Sequence, residues 1–245
     1  MAALTTVALG DRDDVVPTEE PLELVVDDVV FVVLMRTPTG VADDLALAAG
    51  FLAAEGIIED RKDLKAIAPC SEPNRVRVRL AEGVRAPTPR PTVATSACGV
   101  CGTDAIARVQ HKAQKIDAVR PSDDDIVRLS ERARGHQALF AATGAVHGAA
   151  LFRGAELVLL REDVGRHNAT DKVLGRMLLD ERSAAGLTLW VSGRVAFEIV
   201  DKALVAGVGA IVAVGGPTSL AVSLAKDAGL PLIAFVRGAR FNVYS

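Results

Sequence analysis

Between Leu187 and Val236 short β-branched runs alternate with helix-forming segments, and a glycine or proline stands at nearly every change. Residues 187–191, 210–214 and 230–236 read as strands, and 194–206 and 218–228 as helices. This β-α-β-α-β rhythm requires crossover helices and so predicts a parallel sheet covered by helices. The same stretch holds a run, 203–225, of 23 residues without a charge, longer than the roughly 18 that suggest a membrane span. Gly207, Gly209, Gly215, Gly216 and Pro217 break it, and Thr218 and Ser219 follow. That punctuation reads as helix end, strand, turn and second helix, not as a span.

The chain before this array has a different texture. Residues 22–36 are dense in β-branched side chains around Asp27-Asp28, as in a hairpin. Leu45, Ala48, Ala49 and Leu52 fall at helical spacing within 42–55, closed by Gly56. Residues 75–79 alternate strictly and predict a half-exposed strand. Pro87, Pro89 and Pro91 make 86–91 a stiff connector, and a domain boundary is expected just after the helix to which it leads. Further on, 123–141 reads as a helix, 147–152 and 156–160 as a strand pair around Arg153-Gly154, and a helix follows 163–167. The expected division is an irregular acidic arm over 1–20, an α+β domain over 21–115 and an α/β domain over 116–245.

Composition bears on function by exclusion. Half of the 245 residues are apolar and net charge is −3, which is globular and not disordered. With only nine aromatics (Phe 7, Trp 1, Tyr 1) and a pI of about 5.8, a nucleic-acid binder is not expected. The first 30 residues carry eight acids against Arg12, so the other 215 carry −3 − (−7) = +4. Of 28 basic side chains 21 are arginine, suited to recognising anions in the body of the protein. Three cysteines are too few and odd in number for a secreted disulfide scaffold, no basic leader precedes the apolar start, and a reducing cytoplasm is expected.

The sharpest chemical signal is Ser96-Ala-Cys98-Gly-Val-Cys101-Gly. Two thiols three residues apart, flanked by glycines and placed before a helix expected near Thr103, sit where a helix dipole favours thiolate. One cysteine can attack while the other resolves or shares. The alternatives are half a zinc site, for which Cys70, His111, His136, His147 and His167 supply no second pair at ligand spacing, and a thioredoxin-like redox centre. Cys70, beside Pro69, reads as an inert structural residue.

Three strand-to-helix turns form a second signal. Arg161 to Asn168 offers Gly165 for close approach and Arg166, His167 and Asn168 as donors. Val191-Ser192-Gly193-Arg194 offers a hydroxyl and a guanidinium; Val214-Gly215-Gly216-Pro217-Thr218-Ser219 offers backbone amides and hydroxyls. Singly each reads as an ordinary connector. Together on one sheet edge they predict a pocket for an anionic, nucleotide-like ligand. The strand ending at Val236 runs out into Arg237 and Arg240, either anion-recognising forks or a fraying basic terminus.

These residues resemble one family closely, the formate dehydrogenase accessory sulfurtransferases, or FdhD proteins. Met35–Pro38, Gly50–Ile58, the Cys98 motif, Thr143–His147, Glu162–Asn168, the Ser-Gly-Arg turn and the closing Arg-Gly-Ala-Arg-Phe-Asn-Val-Tyr carry the likeness. The resemblance implies a cytoplasmic homodimer that takes persulfide sulfur from a cysteine desulfurase and passes it to the molybdenum cofactor of formate dehydrogenase, bis-molybdopterin guanine dinucleotide, bound as substrate. It implies a cytidine-deaminase-like C-terminal domain with a mostly parallel sheet and no zinc, and a smaller α+β N-terminal domain. Carried over by position, Cys98 is the persulfide carrier and Cys101 its partner. The cofactor-binding stretch is Phe235, Val236, Arg237, Gly238, Ala239 and Arg240. Arg166, His167, Asn168, Ser192, Arg194, Gly215 and Thr218 complete the expected site. A non-catalytic chaperone for the same cofactor, or a thiol–disulfide oxidoreductase, are the competing readings. No structural metal, nucleic acid or membrane is expected.

Overall fold

A computed structural model describes residues 2–89, 93–94 and 116–245. Cys98, Cys101 and His111 lie outside the described residues. The chain divides into two units. The first holds 2–89 and 93–94 together with Leu139–Val146 and Glu162–Arg182; the second holds 116–138, His147–Arg161 and Ser183–Ser245. A single cut near residue 115 therefore misses two returns of the chain into the first unit, which is thereby no smaller than the second.

The first unit opens with β1 (Leu4–Leu9) and β2 (Arg12–Pro17), an antiparallel ribbon closed by the pair Leu9↔Arg12, with Gly10 at φ 64 in the turn. The expected irregular arm is thus a hairpin. Its residues are exposed on both faces for most of its length, so no core imposes an apolar alternation on the sequence. Next come β3 (Glu20–Val26) and β4 (Val29–Arg36), joined as expected through Asp27-Asp28, both left-handed (φ 45 and 67) as a two-residue hairpin turn requires. With β5 (Leu64–Pro69), β6 (Arg75–Leu80) and β7 (Val93–Ala94) they form one sheet, in the order β5-β6-β3-β4-β7.

Helix α1 (Val41–Ala54) lays Leu47, Ala48 and Leu52 onto Leu22, Leu24 and Leu34 of that sheet, and Gly56 ends it with φ 69. What binds the returning helix is its crossing with α1. A Cβ on Gly50 would fall 2.7 Å from the Asp171 carbonyl carbon, and one on Gly175 would fall 2.9 Å from the Ala46 carbonyl carbon. Residues 171 and 175 belong to the helix Arg166–Leu179. Ala46 and Gly50 on α1 and Gly175 on the other helix let the two backbones touch.

The second unit contains α2 (Asp123–Gly135), which Ser122 caps by accepting from the Asp125 amide at 3.1 Å. The expected helix over 123–141 is interrupted at His136-Gln137, where His136 turns its ring back to the Arg132 carbonyl at 2.8 Å. A short helix, α3 (Ala138–Thr143), resumes after it; α4 is Arg166–Leu179. The sheet runs β13-β12-β11-β10-β8-β9, with β8 (His147–Arg153), β9 (Glu156–Asp163), β10 (Thr188–Val191), β11 (Ala210–Ala213), β12 (Leu232–Arg237) and β13 (Arg240–Val243).

The pairs β10–β11 and β11–β12 are parallel, as the alternation predicts, and α5 (Phe197–Val205) and α6 (Ser219–Ala228) make the crossovers. The sheet is nevertheless mixed, not mostly parallel: β8 and β13 pair antiparallel to β10 and β12. Gly238, at φ 57, lets the chain fold back at Gly238-Ala239, so the expected loose basic tail becomes a strand. Ile126, Leu129 and Ala133 of α2 cover Ala150, Phe152, Trp190, Val212 and Ile233, and the Trp190 indole donates to Ser130 Oγ at 3.1 Å. Among the described residues no helix is long and apolar enough to cross a membrane; the uncharged run 203–225 is the end of α5, all of β11 and most of α6.

Candidate functional site at the carboxyl ends of three parallel strands

The loops that leave β10 and β11 do not separate into independent turns. They continue the parallel pairing beyond the strands. Val214 N–H donates to the Val191 carbonyl at 3.1 Å, Gly215 N–H to Gly193 at 3.2 Å, Val195 N–H to Gly216 at 3.1 Å and Thr218 N–H to Val195 at 2.9 Å. Val195 is held in this lattice through both its N–H and its carbonyl, and with Ala196 as N-cap the helix expected from Arg194 begins at Phe197. Gly215 is required by the approach: a Cβ there would sit 2.5 Å from the Gly193 oxygen and 2.7 Å from the Arg194 nitrogen. Phe235 N–H joins from β12, donating to the Gly215 carbonyl at 3.2 Å. Thr218 caps α6, its hydroxyl accepting from Ala221 N–H at 3.3 Å.

Ser192, Arg194, Gly215, Thr218 and the stretch Phe235–Arg240 thus lie in one unit, on the edge where open α/β sheets bind ligands. Arg194, Arg237 and Arg240 are exposed there. Ser192 has a structural duty as well. Its Oγ accepts from Gly148 N–H and its own N–H donates to the Gly148 carbonyl, both at 2.9 Å, which ties β8 to β10. Behind that tie lies a residue that sequence reasoning missed. Gln137 is 2% exposed, its amide packs against Gly148, and neither side-chain polar atom has a hydrogen bond among the described residues. A lone glutamine at a helix break carries no sequence signal.

The turn 161–168 is placed differently. Arg166, His167 and Asn168 belong to the first unit, and much of the motif holds that unit together. Asp163, fully buried, accepts from Thr37 N–H at 3.1 Å, Gly165 N–H at 2.8 Å, Asn168 Nδ2 at 3.0 Å and Lys172 Nζ at 2.7 Å. Asn168 Nδ2 also donates to the Met35 carbonyl at 2.7 Å, and Lys172 Nζ to Thr37 O at 2.9 Å. The Glu162 carboxylate accepts from Leu139 and Phe140 N–H at 2.8 and 2.9 Å and so caps α3. The amide of Asn168, an expected ligand donor, is therefore committed to the fold. Arg36 is likewise internal: it meets Asp44 through two bonds of 2.8 and 3.0 Å and Asn74 at 2.9 Å. It borders a cavity of about 190 Å³ that Cys70 also lines. Among the described residues no three His, Cys, Asp or Glu side chains gather as metal ligands.

Residues 17–245 match the model of the FdhD/NarQ family. The chain belongs to that family. It is 41% identical over 255 residues to the sulfur carrier protein FdhD of Streptomyces coelicolor, across 97% of this chain and 89% of that one. It is 41% identical over 239 residues to the sulfur carrier protein FdhD of Sulfolobus acidocaldarius, across 96% and 91%. A crystal structure from Desulfotalea psychrophila, described as a formate dehydrogenase accessory protein, superposes with a TM-score of 0.77 at 27% identity, over 99% of this chain and 95% of that one. FdhD/NarQ membership thus accounts for nearly the whole chain, including both units.

Proposed function

We propose that this protein is a cytoplasmic sulfur carrier for formate dehydrogenase, relaying persulfide sulfur from a cysteine desulfurase to bis-molybdopterin guanine dinucleotide before the cofactor is inserted. The observation that carries the reading is the near full-length match to sulfur carrier proteins in a chain that has a Cys98-x-x-Cys101 pair. In the first step Cys98 thiolate attacks the outer sulfur of the desulfurase persulfide; the donor leaves as a thiolate and Cys98 becomes Cys–S–SH. In the second, Cys101 thiolate attacks the inner sulfur, forming the Cys98–Cys101 disulfide and releasing HS⁻ to the molybdenum centre. A cellular dithiol then reduces the disulfide. The second unit, taken as a cytidine-deaminase-like domain, would hold the cofactor at the ends of β10, β11 and β12, where exposed Arg194, Arg237 and Arg240 suit phosphate. Arg166 and His167, in the first unit, are proposed separately as ligand donors, and the protein is proposed to be a homodimer.

The test is intact-protein mass spectrometry after incubation with an active cysteine desulfurase and free cysteine. Wild type and Cys101→Ala are expected to gain one sulfur that reduction removes, and Cys98→Ala none. No gain in any form would sink the relay and leave a cofactor chaperone, which should tolerate loss of both thiols yet fail on Arg237→Ala.

A further inference from the structure

The cavity of about 190 Å³ beside Arg36 lies wholly within the first unit and takes no part in the sulfur relay. Pro38, Pro69, Pro73 and Val76 wall it, and the fixed φ of three prolines makes those walls stiff. It is smaller than the roughly 300–1,000 Å³ of sites for drug-sized molecules, and so suits a molecule of amino-acid size. Charged and polar groups of both signs converge on it. Arg36 is 1% exposed, and its four hydrogen bonds to Glu20, Asp44 and Asn74 occupy four of its five N–H groups. The fifth, on Nη1, has no acceptor among the described residues. Gly40 and Val41 bring the positive end of α1 to the same space, and Gly40, the N-cap, has no side chain to occupy the first amides. Glu72 supplies the opposite charge, for its own backbone N–H and the Ser71 hydroxyl hold its carboxyl below the ordinary value. Cys70, whose sequence setting suggests an inert thiol, is only half-buried and lines the cavity. Its N–H donates to the Arg75 carbonyl at 3.0 Å, and Arg36 holds Asn74 at 2.9 Å, so the turn carrying Cys70 and Glu72 is fixed.

We infer that this cavity binds a free sulfur-bearing α-amino acid of the cysteine class, and that Cys70 is a thiol-exchange site for its disulfide. The carboxylate accepts from Arg36 Nη1 and the first amides of α1, the ammonium faces Glu72, and the sulfur comes to Cys70. In the exchange, Cys70 thiolate attacks one sulfur of cystine and the S–S bond of cystine breaks. One cysteine stays on Cys70 as a mixed disulfide and the other leaves as a thiolate. Cystine is itself the oxidant, so the electrons balance, and a cellular thiol reverses the step by the same chemistry. The exchange is independent of the Cys98 relay.

The experiment is incubation of the full-length protein with L-cystine, with cystamine, which lacks the carboxylates, and with 3,3′-dithiodipropionate, which lacks the ammonium groups. The Cys70 peptide is then quantified by mass spectrometry, which separates it from the Cys98 and Cys101 peptide. Cystine is expected to modify Cys70 about tenfold faster than either analogue, with a rate that saturates. Glu72 is exposed, so Glu72→Gln is expected to melt as wild type does and to erase the preference over dithiodipropionate alone. Calorimetric titration of L-cysteine into Cys70→Ser under reducing conditions tests the non-covalent site with Arg36 untouched; heat of binding is expected, and none with cysteamine. Equal rates with all three disulfides, rising without saturation, overturn the site and leave Cys70 an ordinary accessible thiol. So does the absence of heat from L-cysteine, or a Glu72→Gln protein that keeps the full preference.

Discussion

Lys172 and Asp163 meet at 2.7 Å with neither side chain reaching water. Desolvating two charges is costly, and the pair is sustained only because each also has backbone or amide partners. Removing one partner leaves a buried charge, so Lys172→Met is expected to lower stability by about 3–5 kcal/mol in urea unfolding. An unchanged midpoint would show that the pair contributes nothing. At this scale the sequence misleads in an instructive way. The Gly165 backbone and the Asn168 amide suit a ligand-binding turn, and here both donate to a buried carboxylate. Which use applies depends on what faces them: Thr37 and Met35 come from more than a hundred positions away, and no local pattern reports that.

Helices α1 and α4 cross where Gly50 and Gly175 admit a facing backbone. Gly175→Ala is expected to destabilise by about 3 kcal/mol or more, because the obstacle is main chain that cannot rotate aside. A substitution at Gly56, whose added Cβ meets nothing within 4 Å, would act only through its φ of 69. The loop lattice offers a second case. Gly215→Ala is expected to part the β10 and β11 loops, with a loss of about 1–3 kcal/mol in thermal unfolding and weaker GDP binding in the same preparation. A stable Gly215→Ala protein with wild-type affinity would show that the lattice does not shape the ligand edge. Strands β10, β11 and β12 and their crossover helices were legible in the sequence because apolar runs and glycine punctuation are local. Their limits shifted by up to three residues where backbone groups were taken up by neighbouring loops.

For the whole molecule, the β1–β2 ribbon is exposed on both faces and adds little to either core. Deleting residues 2–16 is therefore expected to move the melting midpoint by no more than about 2 °C, as for a surface change of roughly 0.5 kcal/mol. A large drop would mean that the ribbon is covered in solution. The chain's two returns to the first unit have a different weight, since α4 packs its glycine face on α1 and Glu162 caps α3.

By itself the sequence determined the strand–helix rhythm of the second half, the Asp27-Asp28 hairpin, the helix ended by Gly56, and a family likeness that the FdhD/NarQ match bears out. These follow from side-chain period, turn residues and motif spacing, all of which are properties of neighbours along the chain. Only the tertiary structure decided that 139–146 and 162–182 join the first unit, that the central parallel strands are flanked by antiparallel ones, and that Asn168 faces inward. It alone revealed the left-handed Phe235 over Gly216. Each of these depends on which distant backbone comes within about 3 Å. Close approach is set by the packing of whole elements, and a sequence records it only as a glycine whose reason cannot be read.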